Sequence, residues 1–187
     1  TTAGTTDGSG GSDAGAGATI EQTRPVEVIG DPLAQYPDAG ADPAVGVTAP
    51  VLEGESFDGT PITIGGPTDG PTLVVFLAHW CPHCNREVPQ LIALDDQGGM
   101  PAGLNVVGVS TAVNSAYPNY PPSQWLVDKG WPWPAMADSD TTTALQAYGG
   151  SGFPFEVLLD DQGVVLARQS GESTADEIKQ WLEASLD

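Results

Sequence analysis

Pro71-Thr72-Leu73-Val74-Val75-Phe76-Leu77-Ala78-His79-Trp80-Cys81-Pro82-His83-Cys84 is the stretch on which the fold turns. Residues 71–77 form a continuous apolar run rich in β-branched and aromatic side chains. Such a run suits a strand buried on both faces of a sheet. It leads into two cysteines spaced C-x-x-C and then into a helical pattern with Val88, Leu91 and Ile92 on one side. Asp95-Asp96-Gln97-Gly98-Gly99 ends that helix, and Leu104 to Ser110 reads as a second buried strand. The unit is β-α-β, with the cysteines at the strand-to-helix junction.

On the N-terminal side, Val51-Leu52 and Pro61 to Ile64 flank Asp58-Gly59, a strong hairpin turn signal. On the C-terminal side, Ser123 to Gly130 reads as a short helix stopped by glycine, and Trp131-Pro132-Trp133-Pro134 cannot be helical inside. Asp140 is expected to cap a helix through Ala144, Leu145 and Tyr148. Phe155 to Leu159 and Val164 to Arg168 read as two strands joined by Asp160-Asp161-Gln162-Gly163. A last helix is expected to start at Ser173, with Asp176 completing a capping box, and to bury Ile178, Trp181, Leu182 and Leu186. The expected fold class is α/β, a central mixed sheet flanked by helices, with an N-terminal β-hairpin and a short insertion at about residues 111–137. Residues 1–43 are rich in Gly, Ala, Thr, Asp and Pro and are expected to form a flexible tether, leaving residues 44–187 as the domain.

The chain of 187 residues carries 25 acidic and 5 basic side chains, a net charge of −20. The basic residues Arg24, Arg86, Lys129, Arg168 and Lys179 are scattered. Phosphate neutralisation needs grouped cations, so nucleic acid is excluded as an expected partner. Anionic membrane surfaces are disfavoured for the same reason. Like-charge repulsion between copies favours a monomer. No stretch approaches the ~18 apolar residues of a membrane span. The chain opens on Thr1 rather than Met, so membrane association is expected only through an anchor removed upstream.

Both cysteines of the chain, Cys81 and Cys84, fall in the one C-x-x-C. A structural zinc site wants four N or S ligands, and the only histidines, His79 and His83, sit beside the same motif. Haem attachment wants His directly after the second cysteine, where Asn85 stands. A redox pair remains. At a helix start, free N–H groups and the helix dipole favour a Cys81 thiolate, and Cys84 lies one turn along, in reach of a mixed disulfide formed at Cys81. Pro82 occupies the first turn without losing a needed N–H. These roles require one exposed and one shielded sulfur.

Residues 44–187 resemble the thioredoxin superfamily, and within it the TlpA/ResA-like branch of bacterial extracytoplasmic thiol–disulfide oxidoreductases. The matching text is Gly46-x-x-Ala49-Pro50, Phe57-Asp58-Gly59, Phe76 to Cys84 with Glu87-x-Pro89, Val107 to Ser110, and Gly152-Phe153-Pro154. The resemblance implies that Pro154 is a cis-proline facing the cysteines, and that Phe153 presents backbone polar groups to a substrate strand. It also implies that Glu87 influences active-site ionisation. Val75 stands where ordinary thioredoxins carry a buried Asp, which leaves Glu87 as the best candidate proton acceptor near Cys84. The alternative for Glu87 is a surface carboxylate paired with Arg86. Pro89 is expected to kink the helix without direct chemistry.

His83 is expected to stabilise the Cys81 thiolate, making the pair more oxidising than thioredoxin. Trp80 is expected to shield the sulfurs and to offer apolar contact to substrate. His79 is expected at the rim, and Trp125, Trp131, Trp133 and Trp181 in packing roles. The expected function is disulfide exchange with exported protein thiols or disulfides and a separate redox partner, either direction being open. The expected setting is extracytoplasmic, tethered or secreted. No cofactor beyond the Cys81–Cys84 disulfide, and no metal, is expected. Two alternatives are a DsbA-like protein thiol oxidase, whose helical insertion is larger than residues 111–137, and a non-catalytic protein-binding module.

Overall fold

The computed structural model describes Thr1 and residues 19–186. A five-stranded mixed sheet forms the centre of the domain, and a three-stranded antiparallel sheet accompanies it. The apolar run forms β4 (Thr72–Leu77), all six residues buried, at the centre of the large sheet. Preceding it, β1 (Glu27–Ile29), β2 (Val51–Glu55) and β3 (Pro61–Ile64) make the small sheet, with the expected turn at Asp58-Gly59. After it come α1 (Pro82–Asp96), β5 (Asn105–Ser110), α2 (Pro122–Lys129), β6 (Ala135–Ala137), α3 (Thr143–Ala147), β7 (Phe155–Leu159), β8 (Val165–Ser170) and α4 (Ala175–Leu186).

The large sheet thus comprises β4 to β8, in the order β6-β5-β4-β7-β8. β4 pairs parallel with β5 and antiparallel with β7. Side chains alternate across a strand, so each face collects its own core. Val74, Phe76, Val109 and Val157 face α3, the small sheet and the N-terminal segment. Leu73, Val75, Leu77 and Leu158 face the helical layer containing α1, α2 and α4.

The sequence expectations need four corrections. Residues 19–43, expected to belong to a tether, pack on the domain. β1 pairs with β2, Leu33 is 6% exposed, and its N–H donates to the Ala147 carbonyl. Arg168, buried on β8, donates to Ala34 O and Tyr148 O and pairs with Asp42. The N-terminal portion of the expected tether, residues 2–18, lies outside the described residues. Second, the end of the expected insertion, Ala135–Ala137, is an edge strand of the large sheet. It lies beside Gly108, where a Cβ would come within 2.9 Å of the Trp131 ring. Third, α3 is capped by Asp138 rather than Asp140: the buried Asp138 carboxylate accepts from Ser139, Ala144 and Leu145 N–H. Fourth, the capping box of α4 is Thr174 with Glu177, one residue beyond Ser173 and Asp176.

Candidate functional site

The strand-to-helix junction places Cys81 at the N-cap of α1 with an extended backbone, followed by Pro82 in the first turn. No side chain caps this helix end, which leaves its first N–H groups directed at the Cys81 region. Cys84 lies one turn along, and the two cysteines come within 3.7 Å as free thiols. Cys81 is 5% exposed and Cys84 0%. The asymmetry runs in the sense the roles require, but Cys81 is far less open than a freely exposed thiol. Burial is the chief cause that pushes the Cys84 thiol well above its ordinary range, with the neighbouring Cys81 and Glu87 charges adding to it.

The Phe153–Pro154 peptide is cis, and the Phe153 carbonyl accepts from Cys81 Sγ at 3.6 Å. The loop before β7 therefore meets the first turn of α1 at the sulfur itself. Trp80 is half-buried, stacks edge-on against Phe153 at 5.9 Å and Tyr117 at 5.4 Å, and donates its indole N–H to Ala112 O. Tyr117 is 49% exposed, so the aromatic patch beside Cys81 has an open side.

His79 is fully buried, contrary to the rim position expected for it. Its Nδ1 meets Pro118 O at 2.8 Å, and Nε2 accepts from Asn114 N–H at 3.2 Å, an arrangement that fits a neutral imidazole donating through Nδ1. Desolvation lowers its pKa, with the Pro118 hydrogen bond opposing the shift. Asn85 ties the same loop to the helix: Nδ2 donates to the His79 and Cys81 carbonyls, and Oδ1 accepts from Trp125 Nε1. Pro89 has no N–H to give the Asn85 carbonyl four residues back. Lys129 Nζ takes that place at 3.0 Å, so the helix defect becomes an anchor point for α2. Trp131 and Trp133 stack on each other and pack on the α1 side of the sheet.

His83 is exposed, and its Nδ1 lies 2.9 Å from Glu172, which also pairs with Arg86. The imidazole has no hydrogen bond to either sulfur among the described residues, so the direct thiolate contact expected of it is replaced by a charge cluster. Arg86 and His83 hold the Glu172 carboxyl well below its ordinary range, down to about 2. Because Arg86 pairs with Glu172, the surface alternative for Glu87 fails. Glu87 is 0% exposed, and its Oε2 accepts from Ser173 N–H at 2.6 Å.

Sequence reasoning missed Glu156, which is 1% exposed and is the register partner of Val75. Its neighbours Phe155 and Val157 belong to the opposite core, so alternation turns Glu156 toward α1. Gln169 on β8 donates to one of its carboxyl oxygens. Burial raises both carboxyls, and the Glu156 charge raises Glu87 further. Among the described residues, no three His, Cys, Asp or Glu side chains gather as metal ligands. No helix among them is long and apolar enough to cross a membrane.

The family model Redoxin matches residues 44–184. The chain belongs to the Redoxin family. The sporulation thiol-disulfide oxidoreductase A of Bacillus subtilis is 25% identical over 130 residues, covering 69% of this chain and 76% of that protein. The thiol:disulfide interchange protein DsbE of Pseudomonas aeruginosa is 31% identical over 96 residues, covering 51% of this chain and 48% of that protein. The chain thus spans about half the length of that relative. Among solved structures, StoA from Bacillus subtilis superposes with a TM-score of 0.58 at 24% identity, over 74% of this chain and 98% of that one. A DsbF homologue from Corynebacterium diphtheriae gives 0.63 at 20% identity, over 81% and 99%. These likenesses show a thioredoxin-like fold, in line with the TlpA/ResA-like resemblance of the motifs.

Proposed function

We propose that the protein is an extracytoplasmic thiol–disulfide oxidoreductase that exchanges disulfides with exported proteins through Cys81 and Cys84. The observation that carries this reading is Cys81 at the N-cap of α1, its sulfur against the Phe153 carbonyl, with a fully buried Cys84 one turn behind. In the reducing direction, Cys81 thiolate attacks a substrate disulfide, forming an S–S bond and releasing one substrate thiolate. Cys84 then loses its proton and attacks Cys81. The Cys81–Cys84 disulfide forms as the second substrate thiolate leaves and is protonated. Substrate gains two electrons and the protein dithiol loses two; the oxidising direction is the reverse. Trp80, Phe153 and Tyr117 supply the apolar surface on which a substrate segment lies, and Pro154 sets the Phe153 backbone beside the sulfur. The names of the Redoxin relatives support the chemistry, and the TlpA/ResA-like resemblance supports the extracytoplasmic setting.

The test is catalysis of insulin disulfide reduction by dithiothreitol, and of oxidation of a reduced peptide, against a Cys81→Ser control. Turnover in either assay that the control lacks is expected. Rates equal to buffer in both would favour the non-catalytic binding module.

The charge cluster at the helix start makes a further expected result. Glu172→Gln removes the anion that pairs with Arg86, leaving the Arg86 cation unopposed to favour a Cys81 thiolate and hence the reduced form. The couple should become more oxidising, and the shift should shrink as salt rises, because the cluster is exposed. Glutathione titration at low and high ionic strength measures it. An unchanged or more reducing couple would show that the cluster does not act on the sulfur.

A further inference from the structure

Two carboxyl groups lie behind the redox pair with no cation among the described residues to neutralise them. Glu87 is on the buried face of α1, one turn after Cys84. Glu156 is on the α1-facing side of β7, level with Val75. Both side chains are closed to solvent, and each has one carboxyl oxygen, Oε1, with no hydrogen-bond partner. Their other oxygens are held by neutral donors, Ser173 N–H and Gln169 Nε2. Neither takes part in any ion pair among the described residues. The charged cluster of Arg86, His83 and Glu172 is on the exposed side of α1 and is internally paired. Arg168 on β8 is committed to Asp42.

Two buried carboxylates without a cation cannot both be ionised at modest cost. A proton on one of them satisfies the repulsion and gives an orphaned oxygen a donor. We propose that Glu87 and Glu156 hold one proton between them behind Cys84, and that Glu156 is a positioning residue that keeps Glu87 basic enough to take the Cys84 proton during resolution. The proposal rests on the exchange reaction above for its role, and on the two carboxyls alone for the shared proton. Its chemical reason is matching. An ordinary carboxylate is too weak a base for a thiol whose proton burial holds tightly, whereas one beside a second negative carboxyl is a closer match. When Cys84 attacks, its proton passes to the pair, its sulfur bonds to Cys81, and the electron pair leaves with the substrate sulfur. Back transfer of that proton to Cys84 accompanies re-reduction.

The groups that face Glu87 are Cys81 and Cys84 on its own helix, Glu156 on β7 and Glu172 in the loop before α4. Removing the Glu156 charge alone therefore isolates its share. Carboxyl 13C NMR of glutamate-labelled protein, with Glu87 assigned by the loss of its signal in Glu87→Gln, gives the pH at which Glu87 ionises. In Glu156→Gln that pH should fall by about one pH unit or more. Glu156→Asp, which keeps the carboxyl, should retain most of the raised value. Resolution of a Cys81 mixed disulfide should slow by about threefold to tenfold in Glu156→Gln, and its pH profile should move in the same direction as the carboxyl. Stability supplies a readout that needs no activity. The folded protein keeps a proton that the unfolded chain has released, so wild-type stability falls as pH rises from the ordinary carboxylate range through the raised one. Glu156→Gln should lose part of that fall and exceed the wild type at alkaline pH. An unchanged Glu87 titration in Glu156→Gln would overturn the shared proton. A moved titration with an unmoved resolution profile would overturn the positioning role. A wild type that exchanges no disulfides would instead defeat the oxidoreductase reading, with the NMR and stability arms still deciding the pair.

Discussion

Cys81→Ser will bring disulfide exchange down to the buffer rate, a loss of about a thousandfold or more, while Cys84→Ser will accumulate mixed disulfides at Cys81. The difference follows from position. Cys81 lies at the helix N-cap, against the Phe153 carbonyl, and of the two sulfurs it is the one that keeps some accessible surface. Cys84 has no accessible surface and reaches only the sulfur in front of it. Its contribution is an intramolecular attack whose effective concentration no free thiol in buffer matches. Without it, the adduct at Cys81 waits for an external thiol. Mass spectrometry of alkylated protein after exposure to a disulfide substrate reads both outcomes. Adducts on Cys84 in the Cys81→Ser variant would reverse the assignment.

Deleting residues 1–35 will destabilise the domain by on the order of 4 kcal/mol. The deletion removes Leu33 from the core and β1 from the edge of the small sheet. It also removes the Ala34 carbonyl that accepts from Arg168, whose side chain is 0% exposed. Burying a leucine stabilises by about 1.5–3 kcal/mol, and leaving a buried charged donor short of an acceptor costs about 1–3 kcal/mol. For a domain of this size the melting temperature should drop by about 10 °C. Calorimetry of the truncated protein checks it. An unchanged melting temperature would show that the segment contributes nothing, as a free tether would.

Much of the fold was legible because its signals are long. Six consecutive buried residues in β4, the Asp58-Gly59 turn and a C-x-x-C between strand and helix each leave a clear local pattern. Short elements left weaker traces. β6 is three residues, Ala-Met-Ala, too few for a period, and is held only by pairing with β5. Around β1, Val26 and Val28 flank the single polar residue Glu27, too short an alternation to stand out from the Gly- and Thr-rich text before it. Caps slipped by a residue or two because Asp138 and Asp140, or Ser173 and Thr174, have the same chemistry. Only the folded chain decides which carboxyl or hydroxyl meets the free N–H groups.

At the site, Cys81 and Cys84 could be read from the C-x-x-C, and Phe153 and Pro154 only through the family resemblance; the structure sets the Phe153 carbonyl against the Cys81 sulfur. Neither His79 nor His83 lies as expected. His79 is sealed beneath the 111–121 loop, and His83 turns outward to Glu172. Sequence distance to a cysteine says nothing about which way a ring turns. Glu156 was hidden because one Glu in Phe-Glu-Val-Leu-Leu reads as the solvent side of a strand. In a sheet covered on both faces, that side is another interior.

The most direct measurement is a titration of the protein in glutathione buffers of stepped ratio, with free thiols alkylated and counted at each step. The account predicts one reversible two-electron transition between a Cys81, Cys84 dithiol and an intramolecular disulfide, lost in either single serine variant. Two cysteines that stay reduced across the series, or that collect glutathione separately without pairing, would contradict it.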